Sequence, residues 1–143
     1  MLLINMKKTL FLMLLSFSLL EATPTHSLLD IDKDGKVLQQ TDATLIMRYL
    51  LGFRGSKLIE KALASSIENN SSKIEATLFR LVSSKLLDID GDGEVKAFQD
   101  ALILSRWIIG IRGKDLIRGV IQEKSSRKSS KEISNYIKLT FAF

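Results

Sequence analysis

Residues 86–95 read LLDIDGDGEV. Asp88, Asp90, Asp92 and Glu94 crowd four carboxylates into seven positions, with Gly91 and Gly93 between them. At neutral pH these charges repel one another, and acids alternating with glycine favour neither a helix nor a strand interior. A second such stretch, LLDIDKDGKV, occupies residues 28–37. The whole chain carries a net charge of +5. The local negative charge therefore needs its own explanation, and that explanation must serve twice.

Sliding the sequence on itself by 58 residues aligns Leu28 with Leu86, Asp30 with Asp88, Asp32 with Asp90 and Asp34 with Asp92. The match continues through Gly35 and Gly93, Val37 and Val95, Asp42 and Asp100, Arg48 and Arg106, and Gly52 and Gly110. Roughly half of the positions between 28 and 59 are identical in the two copies, which reads as a tandem duplication. The expected organisation is a leader over residues 1–22, a first repeat over 23–85 and a second over 86–143.

Each copy reads as a loop followed by helices. After Asp42, Leu45, Ile46, Tyr49 and Leu50 form an apolar stripe at helical spacing, and Gly52 offers an end. Ile103, Leu104, Trp107 and Ile108 repeat the stripe, with Gly110 at its end. A short apolar helix is expected over SKLIEKAL and again over KDLIRGVI. A last helix is expected to open on a capping box, Ser72 with Glu75 and Ser129 with Glu132, after a one-residue change of register. No sustained alternation predicts strands, so the expected class is all-α.

The acidic loops have a donor pattern for a hard cation. Asp88, Asp90 and Asp92 fall at loop positions one, three and five, and Gly93 at six permits a sharp turn. At seven, Glu94 offers its backbone carbonyl. This is the arrangement by which an EF-hand loop wraps oxygen around Ca²⁺. Asp30, Asp32, Asp34, Gly35 and Lys36 repeat it, Lys36 being at position seven. The EF-hand closing glutamate belongs at position twelve, where this chain has Thr41 and Gln99. The acid stands at thirteen, as Asp42 and Asp100. Each is read as the closing ligand, the alternative being a helix cap without a metal role. Two Ca²⁺ ions are expected, one per loop. Mg²⁺ suits the pattern less well because it demands octahedral geometry. Without cysteine, and with His26 as the one histidine, a zinc site is not expected.

A calcium loop followed by a helix, and in the first copy without room for a helix before it, resembles the dockerin type I repeat. The resemblance covers mainly residues 28–51 and 86–109. It rests on Asp-Xaa-Asp-Xaa-Asp-Gly-Xaa-Val, the later Asp, and an apolar helix carrying Arg48 with Tyr49 or Arg106 with Trp107. It implies a secreted, Ca²⁺-dependent interaction module whose partner is a cohesin-like or other extracellular protein; the alternative is an EF-hand-type calcium sensor or buffer. Dockerins commonly attach polysaccharide-degrading enzymes to a scaffold.

The first residues agree with export. MLLINMKK is a short positive region, TLFLMLLSFSLL is a mainly apolar run of twelve, and Ala22 offers a cleavage point. A mainly apolar run of twelve falls short of the roughly 20 residues that span a bilayer. Glu21 beside the cut keeps an uncleaved membrane anchor as the alternative. Cleavage leaves 121 residues and takes the net charge from +5 to +4. The expected location is therefore secreted or periplasmic, with membrane contact only if the leader stays attached. A cysteine-free exported domain of this size has no disulfides to hold it, which gives a structural ion a purpose.

No nucleophile–base constellation stands out, and the chain reads as non-catalytic. Lys124, Arg127, Lys128 and Lys131 lie among serines. They read as a solvated linker or an anion-binding surface. No aromatic residues interleave with them, and nucleic acid is not an expected partner. Arg54 and Arg112 either bind helix-end carbonyls or face a partner. Tyr136, Ile137, Phe141 and Phe143 are expected to close the core of the second copy.

Overall fold

Each acidic loop enters its helix through one turn of π-helix, Gln39–Ala43 in the first copy and Ala97–Ala101 in the second. The Ala43 amide donates to the Leu38 carbonyl (3.2 Å) and the Ala101 amide to the Lys96 carbonyl (3.3 Å), each five residues back. A π turn accommodates one more residue than an α turn over the same rise. It thereby absorbs the extra residue that puts the closing acid at thirteen.

The computed structural model describes residues 27–63 and 68–142. Among these residues the regular structure is entirely helical, as expected. The helices are α1 (Thr44–Leu50), α2 (Gly55–Ile59), α3 (Ser71–Ser83), α4 (Leu102–Ile108), α5 (Lys114–Ile117) and α6 (Ser130–Phe141). None of them is long and apolar enough to cross a membrane. The leader, Ala22, His26 and Phe143 lie outside the described residues.

α1 buries Leu45 and Ile46, and α4 buries Ile103, Leu104 and Trp107, along the stripes that the spacing predicts. Both end by the same device. Gly52 (φ +91°) and Gly110 (φ +89°) take the left-handed conformation. The amides of Phe53 and Ile111 then reach back to the carbonyls of Arg48 (3.0 Å) and Arg106 (2.9 Å). This satisfies carbonyls that a helix end otherwise leaves bare.

The arginines serve the turns. Arg48 Nη1 donates to the Leu58 and Glu60 carbonyls at 3.0 and 2.6 Å. Arg106 Nη1 does the same to Leu116 and Arg118 at 3.2 and 2.9 Å. Arg54 binds the carbonyls of Tyr49 and Phe53 and stacks on the Tyr49 ring at 3.7 Å. Arg112 binds those of Trp107 and Ile111 and stacks on Trp107 at 3.5 Å. Of the two readings of Arg54 and Arg112, helix-end carbonyls are where they go.

α2 and α5 are shorter than the sequence predicts. Glu60 and Arg118 leave helical backbone at ψ 117° and 120°. The chain then turns at Lys61 (φ +53°) and Gly119 (φ +72°). The expected capping box forms at α6, where Ser129 and Glu132 cap reciprocally. It does not form at α3. There Asn70 is the cap, accepting from the amides of Ser72 (2.9 Å) and Lys73 (3.3 Å). Asparagine is among the best N-caps and comes first along the chain. Glu75 instead accepts the bare Gly55 amide at the start of α2 (2.6 Å).

The loops supply core as well as charge. Leu29, Ile31, Leu87 and Ile89 are buried between or beside the aspartates and join one hydrophobic cluster with Leu45, Ile103, Leu58, Leu116, Ile74 and Ile133. α1 packs on the second π turn and α4 on the first, so the two loop–helix units face each other. Phe141 and Ile137 close this core. The Phe141 carbonyl accepts the Ser27 hydroxyl (2.9 Å), and the Tyr136 hydroxyl donates to the Leu86 carbonyl (3.0 Å).

Candidate metal centre

The Asp-Ile-Asp runs are anchored by their isoleucines, and this brings the flanking carboxylates inside with them. Asp30, Asp32 and Asp42 form one buried triad, and Asp88, Asp90 and Asp100 a second. In each triad one oxygen per residue lies within 4.8 Å of the others, so each can hold a metal ion.

Backbone amides fix the carboxylates. Asp42 Oδ1 accepts from Ile31 N (2.6 Å) and its Oδ2 from Leu38 N (2.8 Å). Asp100 Oδ1 accepts from Ile89 N (2.6 Å) and its Oδ2 from Lys96 N (2.8 Å). The closing acids therefore tie both ends of each loop to the π turn. Asp30 Oδ2 accepts the Gly35 amide (3.1 Å) and Asp88 Oδ2 the Gly93 amide (3.0 Å). Asp34 and Asp92 stand outside the triads. They accept the amides of Lys36 and Glu94, each at 2.8 Å, which places those two residues in the same turns.

Burial makes the charges costly. The Asp32 carboxyl is raised to about 6, chiefly by burial and then by the charges of Asp42 and Asp34. Burial likewise raises Asp100 to about 6, against the pull of its amide bonds. Asp42 is raised for the same first reason. Asp32 Oδ2 is buried and accepts no hydrogen bond among the described residues. Among the described residues no cation pairs with Asp32 or Asp42. A buried carboxylate oxygen without a donor is expensive, and a cation is the partner it lacks. An all-carboxylate donor set suits a hard ion.

The second loop carries a feature that the sequence reading missed. Residues 124–127, expected as a solvated linker, lie across it. The Ser125 hydroxyl donates to Asp90 Oδ2 (2.7 Å), and the Arg127 amide donates to the Asp90 carbonyl (2.9 Å). The Arg127 guanidinium donates to the carbonyls of Ile89 (2.7 Å) and Asp88 and stacks on Tyr136 at 3.9 Å. Lys96 and Lys124 reach Asp92 Oδ2 at 2.8 and 3.3 Å, and both pair with Glu94. Hydrogen bonds from Lys124 and Lys96 pull Glu94 down to about 2. At Asp92 burial pushes upward, but bonds from Lys96, Glu94 N and Lys124 outweigh it and hold the carboxyl below its usual range. The available signal was the charge opposition between the run and the loop, obscured by thirty residues of separation.

Compared with protein-family models, curated proteins and solved structures, the chain matches none.

Proposed function

We propose that the chain is a secreted, non-catalytic Ca²⁺-binding interaction module of two dockerin-like repeats, each loop holding one ion. The observation that carries this reading is the first triad: three buried carboxylates with Asp32 Oδ2 lacking any donor. The ligand set would be Asp30, Asp32, Asp34, Asp42 and the Lys36 carbonyl in one loop. In the other it would be Asp88, Asp90, Asp92, Asp100 and the Glu94 carbonyl. Oxygen donors in a loop of this length favour Ca²⁺ over softer metals.

The ion's role is structural. It neutralises the loop, and the loop positions the helix that follows. The partner is an extracellular protein, cohesin-like on the sequence resemblance. Its docking face is the mixed stripe of α1 and α4, where Met47 and Ser105 are half-buried and Leu51 and Ile109 are exposed. Arg48 and Arg106 contribute little to that face, since each spends Nη1 on carbonyls of its own chain.

Thermal melting with Ca²⁺ and with chelator tests the structural role. An ion at a hundredfold excess over its dissociation constant stabilises by about 2.7 kcal/mol per site. The expected result is a steep fall in melting temperature on chelation. An unchanged melting curve contradicts it.

A further inference from the structure

We propose that the two loops take up divalent ions unequally, because Lys96 and Lys124 act as tethered counter-cations that an ion must displace from the second loop. The inference rests on the cation reading above and specifies how the chain regulates it. In the second loop the Asp92 oxygen that faces the lysines already has two ammonium groups at 2.8 and 3.3 Å. Glu94 Oε2 pairs with the same two ammonium groups. Ser125, itself buried, occupies Asp90 Oδ2.

The first loop lacks both lysines at the positions 58 residues earlier. Leu38 stands where the second copy has Lys96, and Ser66 stands where it has Lys124. The Glu68 amide donates to the Asp32 carbonyl (3.1 Å) as the Arg127 amide does to Asp90, but it brings an acid in place of a guanidinium. Residue 91 shows how closely the strap lies. A Cβ at Gly91 would stand 2.1 Å from Ser126 Oγ and 3.0 Å from the Arg127 guanidinium. Lys33 fills that position in the first loop.

The consequence is electrostatic. A Ca²⁺ ion entering the first loop meets carboxylates and an oxygen with no donor. One entering the second must take Asp92 from two ammonium groups that also hold Glu94, and it pays for their release. Charges a few ångströms apart in a partly buried site change affinity by roughly tenfold or more.

The test is a Ca²⁺ titration of the intact, chelator-stripped protein followed by amide resonances. Gly35 and Gly93 each donate their amide to the leading aspartate of their own loop, so each reports on its own site. In the natural protein Gly35 should move at lower Ca²⁺ than Gly93. Lys96→Gln with Lys124→Gln should tighten the Gly93 midpoint roughly tenfold and leave that of Gly35 in place. Lys128→Gln with Lys131→Gln makes the same change in net charge away from the loop and should not move Gly93. Coincident midpoints in the natural protein, or equal effects of the two double variants, overturn the tethered-cation inference while leaving the ion sites standing. No Ca²⁺-dependent movement of either glycine overturns the ion reading itself and the inference with it.

Discussion

The first and second loops share their aspartates, the turn glycine (Gly35 and Gly93), buried isoleucines and π turns, yet they solve the problem of buried negative charge differently. The second sets cations beside its triad, Lys96 and Lys124 on Asp92 and the Arg127 strap on the loop carbonyls, and gives Asp90 Oδ2 the Ser125 hydroxyl. The first leaves Asp32 Oδ2 without a donor, with Asp42 and Asp34 pushing its carboxyl further upward. Identical ligand motifs therefore do not make identical sites. The surroundings decide how much a bound ion is worth, and here those surroundings come from a segment that differs between the copies.

The ion-free protein is where this comparison can be broken with the largest effect. Asp32, Asp42 and Asp100 have folded-state pKa values above their unfolded ones, two of them near 6. The folded state thus holds more protons, and this contribution to stability is full below about pH 4 and lost as pH rises through about 6. Glu94 and Asp92 are depressed, so their contribution is lost as pH falls through still lower values. In chelator, stability should rise between pH 7 and about pH 5 and fall again in stronger acid. Asp32→Asn keeps the Oδ1 acceptor for the Asp34 amide and removes the buried charge. It should stabilise the ion-free protein at pH 7 by roughly 1–3 kcal/mol and flatten that rise, as read by denaturant melts. Destabilisation in chelator would mean that the first triad is already neutralised from within the chain.

A smaller effect sharpens the comparison between the last helices of the two copies. Asn70 caps α3 alone, whereas Ser129 caps α6 within a reciprocal box that includes Glu132. Asn70→Ala and Ser129→Ala should each cost about 1 kcal/mol in urea melts. Ser129→Ala should cost the more, because Glu132 loses the Ser129 hydroxyl that it accepts at 2.8 Å. The reverse order would show that the box adds nothing to the cap.

Much of this was legible in the residues. The stripes Leu45–Ile46 and Ile103–Leu104, the glycine-terminated helices and the aspartates that form the triads all follow from periodicity and spacing, which are local properties. The displaced acids Asp42 and Asp100 announced an extra residue, but not that a π turn would absorb it, because only hydrogen bonding separates that from a longer loop. The cap at Asn70 was masked by Ser72 and Glu75, a better-looking motif whose glutamate is drawn away to Gly55 by tertiary structure. The strap was the least legible element. Lys124, Ser125 and Arg127 act across 30 to 39 residues of chain, and no local pattern encodes a contact at that distance.

The central claim is that the two buried aspartate triads hold divalent ions. Calorimetric titration of Ca²⁺ into the chelator-stripped protein tests it most directly. The account predicts two ions per chain, bound in two resolved steps, with Asp32→Ala and Asp90→Ala each removing one. No heat of binding at millimolar Ca²⁺, or uptake that neither substitution changes, would contradict it.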